Sequence, residues 1–128
     1  MSFIVRSHFV LYVKDQELST DFFSELLDMQ PQLNVPGMTE FRLGNETVLG
    51  LMPESGIAKI IHPIMPHPEE ANGIPRCELY LYVEEPEQIF ERSKELKIVS
   101  PLMKRNWGDT AFYLSDPDGH IIAFAKRS

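Results

Sequence analysis

Leu11-Tyr12-Val13 recurs as Leu81-Tyr82-Val83, seventy residues further on, and the flanks of the two triplets recur with them. At the same offset Glu17 matches Glu87, Glu25 matches Glu95 and Leu26 matches Leu96, while the acidic Asp15 and Asp21 return as Glu85 and Glu91. Six identities between positions 11 and 26 exceed coincidence. Two copies are too few for a solenoid, so the pattern predicts two modules that share one core.

Each copy opens with alternating, strand-like residues, Phe3 to Val13 in the first and Cys77 to Val83 in the second. A helix follows in both. In the first, Leu18, Phe22, Leu26 and Met29 recur at spacings of three and four; in the second, Ile89, Phe90, Ser93 and Leu96 share a face, with Pro86 suited to the first turn. Three short extended runs come next in each half: 32–35, 39–43 and 47–52, then 98–103, 110–115 and 120–126. Gly44-Asn45 and Asp116-Pro117-Asp118-Gly119 separate the last two runs of each half, as hairpin turns do. The expected fold class is α+β, strand, helix and three strands, twice over. One domain is expected, with module one at 1–52, a linker at 53–76 and module two at 77–128.

Pro53, Pro63, Pro66, Pro68 and Pro75, with Gly56 and Gly73, exclude a long helix or a central strand from the linker. Ile57, Ile60, Ile61, Ile64 and Met65 are too apolar for a solvated tether, which points to a cavity lid or a dimer contact.

The chain has 128 residues, 43% of them hydrophobic, and a domain of that size buries roughly two-thirds of its unfolded surface, enough for a core without disulfides. Nineteen acidic against twelve basic side chains give a net charge of −7, with no basic stripe to neutralise phosphates. Nucleic acid and anionic membranes are therefore not expected partners. Cys77 is the only cysteine, so no intramolecular disulfide can form, and a buried thiol in a reducing compartment is its plain reading. The apolar run from Phe3 to Val13 is interrupted by Arg6, Ser7 and His8 and precedes no small-residue cleavage site, so neither a signal peptide nor a membrane span is expected. A cytoplasmic, soluble protein follows. Glycine-rich phosphate loops, paired-cysteine motifs and nucleophile-elbow serines are missing from the sequence, which removes nucleotide, zinc-ribbon and hydrolase chemistry.

The ending from Trp107 to Phe124, with its Asp116-Pro117-Asp118-Gly119 turn, and the opening Ser7-His8-Phe9-Val10-Leu11-Tyr12-Val13-Lys14-Asp15 resemble the glyoxalase, bleomycin-resistance and extradiol-dioxygenase superfamily, the vicinal oxygen chelate proteins. The resemblance covers nearly the whole chain. It implies paired βαβββ modules whose curled mixed sheets enclose a cavity, usually in a homodimer. Metal-using members place ligands on the first and last strands of each module, which here implies His8, Glu78 by the repeat offset, Gly50 and Ala123. Glycine and alanine supply no ligand atom, and a catalytic divalent ion generally needs at least three protein ligands. His62, His67 and His120 could complete a set, but as residues of a proline-rich linker or a turn they read more simply as solvated or hairpin-capping groups. No metal or other cofactor is therefore expected.

Alternation along the strands places Arg6, Val10 and Tyr12 on the face of His8, and Tyr80 and Tyr82 on the face of Glu78. Val48, Gly50 and Met52 join the first face, and Ile121, Ala123 and Ala125 the second. Phe9, Leu11, Val13, Leu79, Leu81 and Val83 are left to face the helices. The small-molecule site expected from this pattern comprises His8, Tyr12, Gly50, Glu78, Tyr80, Tyr82, Trp107 and Ala123, and suits a flat or amphipathic organic ligand. The bland alternative is a filled core of hydrogen-bonded tyrosines. Trp107 reads as a stacking residue, a dimer contact or a core residue, and the drug-clamping aromatics of the bleomycin-resistance branch imply the first. Arg105 is either solvated or a partner for an acidic ligand group.

Two classes of function follow. The first is metal-independent binding and sequestration of an aromatic or amphipathic compound, as in bleomycin resistance. The second is a metal-dependent lyase, isomerase or dioxygenase using His8 and Glu78. A metal-free enzyme with these two residues as acid and base is a further possibility.

Overall fold

The computed structural model describes residues 3–127. In chain order it contains β1 (Ser7–Val13), α1 (Gln16–Leu27), β2 (Leu33–Val35), β3 (Met38–Leu43), β4 (Thr47–Pro53), α2 (Glu54–Ile61), a 3-10 turn (Pro68–Ala71), β5 (Glu78–Tyr82), α3 (Pro86–Arg92), β6 (Lys97–Lys104), β7 (Thr110–Ser115) and β8 (Ile121–Lys126). This is the α+β order of strand, helix and three strands, twice. The chain divides between Asn72 and Gly73 into two compact units.

In the first unit the sheet order is β1-β4-β3-β2, with β1 parallel to β4 and the other neighbours antiparallel. Strand β1 is shorter than its apolar run. Its pairing with β4 begins at Ser7, opposite Thr47, and Phe3, Ile4 and Val5 before it are exposed. Asp15 starts α1 by accepting from the Leu18 amide at 3.0 Å, and Asp28, in the left-handed conformation, ends it.

The buried face of α1 is Ser19, Thr20, Phe23 and Leu26, so of the expected Leu18, Phe22, Leu26 and Met29 only Leu26 is buried. Two polar contacts set that rotation: Thr20 Oγ1 lies 2.9 Å from Thr39 Oγ1, and Gln16 Nε2 donates to the same oxygen at 2.9 Å. Phe23 then meets Phe41 with ring centroids 6.4 Å apart, and Phe22 packs edge-on against Phe23. Leu18 is left 55% exposed, and Met29 falls beyond the helix end. Because α1 covers β3 and β4, Phe9 on the edge strand is also exposed, although it was expected to face a helix.

The segment after β4 forms the two-turn α2, which packs on β1 and β4 and buries Ala58, while Ile60, Ile64 and Met65 face outward. His67 is a local cap, its Nδ1 accepting from the Glu69 amide at 3.1 Å.

The second unit repeats the topology as β5-β8-β7-β6, with β5 parallel to β8. Leu79, Leu81, Phe112, Leu114, Ile122 and Phe124 take the face toward α3, whose Phe90 ring lies tilted against Phe112 with centroids 5.0 Å apart. Pro86 opens α3 and is buried. The helix stops at Arg92, so Leu96 lies past its end, and buried Ser93 closes it by donating to the Ile89 carbonyl at 2.6 Å. Cys77, expected to be buried, is exposed because it precedes the first paired residue of β5. Among the described residues no helix is long and apolar enough to cross a membrane.

Candidate binding site

Strand alternation turns Tyr80 and Tyr82 of β5, Ala123 and Ala125 of β8, and Tyr113 of β7 away from α3. In one cross-strand row Ala123 sits between Tyr80 and Tyr113. Its side chain is only a methyl, so the two rings approach over it to a centroid distance of 6.5 Å. Tyr82 joins Tyr80 edge-to-face at 5.4 Å. Such pairings match the edge of one ring's quadrupole to the face of the other.

The loop between β6 and β7 brings the remaining members. Arg105 and Asp109 close it with two backbone bonds: the Arg105 amide donates to the Asp109 carbonyl at 2.7 Å, and the Gly108 amide to the Arg105 carbonyl at 3.0 Å. Gly108 adopts a φ of +102°, which an L side chain rarely adopts. This turn sends Trp107 and Asp109 toward the tyrosines. Trp107 Nε1 donates to the Tyr80 hydroxyl at 2.9 Å, with the rings 6.5 Å apart, while the residue remains 58% exposed. Asp109, only 1% exposed, accepts on Oδ2 from Tyr80 at 2.9 Å and from Tyr82 at 2.7 Å. Arg127 faces its Oδ1 at 3.5 Å and also donates to the Tyr82 hydroxyl.

A buried carboxylate without partners would be strongly disfavoured. Here the Tyr82 hydroxyl above all, then Tyr80 and Arg127, hold the Asp109 carboxyl below the usual range. The reciprocal effect raises the hydroxyls. Tyr82 is pushed up chiefly by its bond to Asp109, and Tyr80 chiefly by desolvation. Tyr113 is raised by desolvation and then by the charge of Glu78. Both tyrosine hydroxyl protons are thus committed to Asp109, which ties the two rings into one network.

Of the expected site residues, Tyr80, Tyr82, Trp107 and Ala123 come together in this cluster. Glu78 is on the same strand face but exposed at its end, outside the hydrogen-bonded network. His8, Tyr12 and Gly50 share a face of the first unit, where the row Val10, Gly50, Glu40 corresponds to Tyr80, Ala123, Tyr113. Gln32 braces the Glu40 carboxylate by donating to Oε1 at 3.0 Å, and Oε2 lies 3.7 Å from His8 Nδ1. Asp109, Arg127, Tyr113 and Glu40 escaped the sequence reading. Alternation on β8 points to Arg127 and alternation on β7 to Tyr113, whereas Asp109 looks like any solvated loop acid.

The donor set does not fit a metal at the implied strand positions. Gly50 and Ala123 contribute no ligand atom, which leaves only His8 and Glu78 of the four implied positions, fewer than the three ligands a catalytic divalent ion generally needs. A different group, Asp116, Asp118 and His120, brings its ligand atoms within 4.8 Å of one another. It is already occupied with shaping the turn: Asp116 Oδ1 accepts from the Asp118 and His120 amides at 2.9 and 2.7 Å, and Oδ2 lies 2.7 Å from His120 Nδ1. His120 is thus a hairpin cap.

No curated protein matches the chain in sequence. Its fold is shared by a glyoxalase/bleomycin resistance protein/dioxygenase from Nocardioides at a TM-score of 0.77 and 19% identity, covering 99% of this chain and 85% of that one. A glyoxalase-related enzyme from Fulvimarina pelagi gives 0.78 at 20% identity, covering 94% and 86%. The lactoylglutathione lyase of Agrobacterium tumefaciens gives 0.75 at 15% identity, covering 98% and 95%. The glyoxalase-like domain family matches residues 7–127. The chain belongs to that family, within the vicinal oxygen chelate superfamily.

Proposed function

We propose that the protein binds and sequesters a flat aromatic small molecule on the tyrosine and tryptophan face of the second unit, without metal and without turnover. One observation carries this reading: Trp107 is more than half exposed, yet its indole is pinned to Tyr80 by a hydrogen bond and a ring contact. Leaving a large apolar ring in water is unfavourable, and fixing it there beforehand lowers the entropy lost when a ligand stacks on it. Tyr82, also exposed, extends the same surface. A homodimer, common in the superfamily, is compatible with this reading and is part of the proposal.

The test is a titration of the full chain with planar aromatic compounds, followed through Trp107 emission in chelator-treated buffer. Saturable, stoichiometric change with unchanged ligand recovered afterwards is expected. A silent Trp107 alongside calorimetrically measured binding would move the ligand elsewhere. Consumption of a hemithioacetal or catechol only after a divalent ion is restored would replace sequestration with the metal-dependent lyase or dioxygenase built on His8 and Glu78.

A further inference from the structure

The aromatic face has a charged end. The Arg127 guanidinium lies over the Tyr82 ring, 4.8 Å from its centroid. Its Nε faces Asp109 and its Nη2 donates to the Tyr82 hydroxyl, so one edge of the guanidinium plane is occupied. The outer edge, from Nη1 to Nη2, has no partner among the described residues, and the side chain is 73% exposed. That edge is the one that takes a carboxylate in two parallel hydrogen bonds, and here the stacking and the inner-edge bonds already hold it in plane. Tyr82, Val83, Glu84 and Arg127 line an open depression of about 420 Å³, next to which Tyr80 and Trp107 continue the aromatic face from Tyr82.

Two carboxylates, Asp109 and Glu84, stand near Arg127. The Asp109 side chain is buried and its carboxylate accepts from Tyr80, Tyr82 and Arg127, so it meets a ligand only by partly offsetting the Arg127 charge. Glu84 lines the depression without an ion pair to Arg127 among the described residues, and its repulsion selects against a polyanion. At the other end, Arg105 lies 5.0 Å from the Tyr113 centroid and donates to the Ala111 and Pro101 carbonyls, which makes it a brace of the β6–β7 hairpin. The opposite charge of Glu78 is felt at the same tyrosine. Arg127 is therefore the open cationic group beside the rings.

We infer that the ligand is a flat aromatic monoacid, its ring system against Trp107 and Tyr80 and its carboxylate on the outer edge of Arg127. This rests on the aromatic-binding reading and names the ligand class for it. Calorimetry on the full chain with 2-naphthoate, 2-naphthalenemethanol and 2-naphthylmethylammonium tests it. Naphthoate should bind about tenfold more tightly than the alcohol, as a charge-assisted pair predicts, and the ammonium most weakly. In Arg127→Gln the ratio of naphthoate to alcohol affinity should collapse to about one, and in Arg127→Lys, which keeps the charge but loses the fork, it should fall between. Equal affinities for acid and alcohol in the native protein, a preference for the ammonium, or a ratio unchanged in Arg127→Gln would overturn the inference while leaving the aromatic platform standing. If none of the three probes binds and Trp107 emission stays silent, the platform falls with it.

Discussion

On the face away from its helix, the first unit carries the row Val10, Gly50, Glu40 where the second carries Tyr80, Ala123, Tyr113. The scaffolds are the same; the hairpins before their closing strands are not. In the first unit β2 has three residues and turns into β3 through Pro36-Gly37, whereas β6 has eight residues, with register shifts, and reaches β7 through residues 105–109. The longer connection has room for Trp107 and Asp109, and those two residues convert a row of tyrosines into a network. The shorter one leaves the corresponding face with a loose contact between His8 and Glu40. A duplicated fold can thus keep its core twice and build a hydrogen-bonded aromatic network once, through the length of a single hairpin.

The largest effects should fall on what the units share. Phe23→Ala and Phe112→Ala each remove a fully buried ring from a helix–sheet contact, and each should cost about 3–5 kcal/mol in urea unfolding. A cost below about 1 kcal/mol in one unit alone would show that the two cores are not equivalent. Ligand affinity should divide them instead. Trp107→Ala should weaken binding of a planar aromatic about tenfold or more, while His8→Ala should change it by less than about threefold, as measured by calorimetry. The reverse ranking would transfer the site to the first unit.

Asp109→Asn sharpens the comparison through pH. The Asp109 carboxyl is held below its ordinary value, so its contribution to stability is present above the unfolded carboxyl value and is lost as pH falls through the lowered folded one. Tyr80 and Tyr82 are raised, so theirs is present below the ordinary tyrosine value and is lost as pH rises through the folded values. Ultraviolet titration should show Tyr82 ionising earlier in Asp109→Asn than in the native protein, with a shallower loss of stability on the acid side. An unchanged Tyr82 titration would remove Asp109 from the network.

The smallest effects concern the row centres. Ala123→Gly should cost about 1–2 kcal/mol, through backbone entropy and the loss of a buried methyl beneath the Tyr80 and Tyr113 rings. Gly50→Ala should be nearly neutral, because the entropy it recovers is offset by a Cβ placed 3.1 Å from Val10 Cγ2 and 3.3 Å from Met38 Sδ. Thermal denaturation of both variants distinguishes the two cases.

The strand and turn pattern was legible because apolar alternation and turn chemistry are local, and the offset of seventy tied the halves together. The face of α1 was not, since two adjacent phenylalanines satisfy either rotation and the choice falls to Thr20, a polar residue whose partner Thr39 is distant in sequence. Tyr80, Tyr82, Trp107 and Ala123 were readable from parity and residue type. Asp109 was hidden because burial of a carboxylate depends on three donors distant in sequence, two on β5 and one just past β8, and Glu40 because its approach to His8 needs the cross-strand register.

The parallel pairing at the start of each module also sets an order of assembly. Ser7 waits for Thr47, forty residues on, and Glu78 for Ile121, forty-three residues on, whereas β7 and β8 are joined by a tight turn pinned by Asp116. Local hairpins close early and distant pairs close late, because loop entropy must be overcome before the distant contacts reward it. On the ribosome, β5 therefore emerges well before the strand that completes its sheet. During that interval β5 lacks β8, the neighbour with which it pairs in the finished sheet, and its backbone groups are open on both sides.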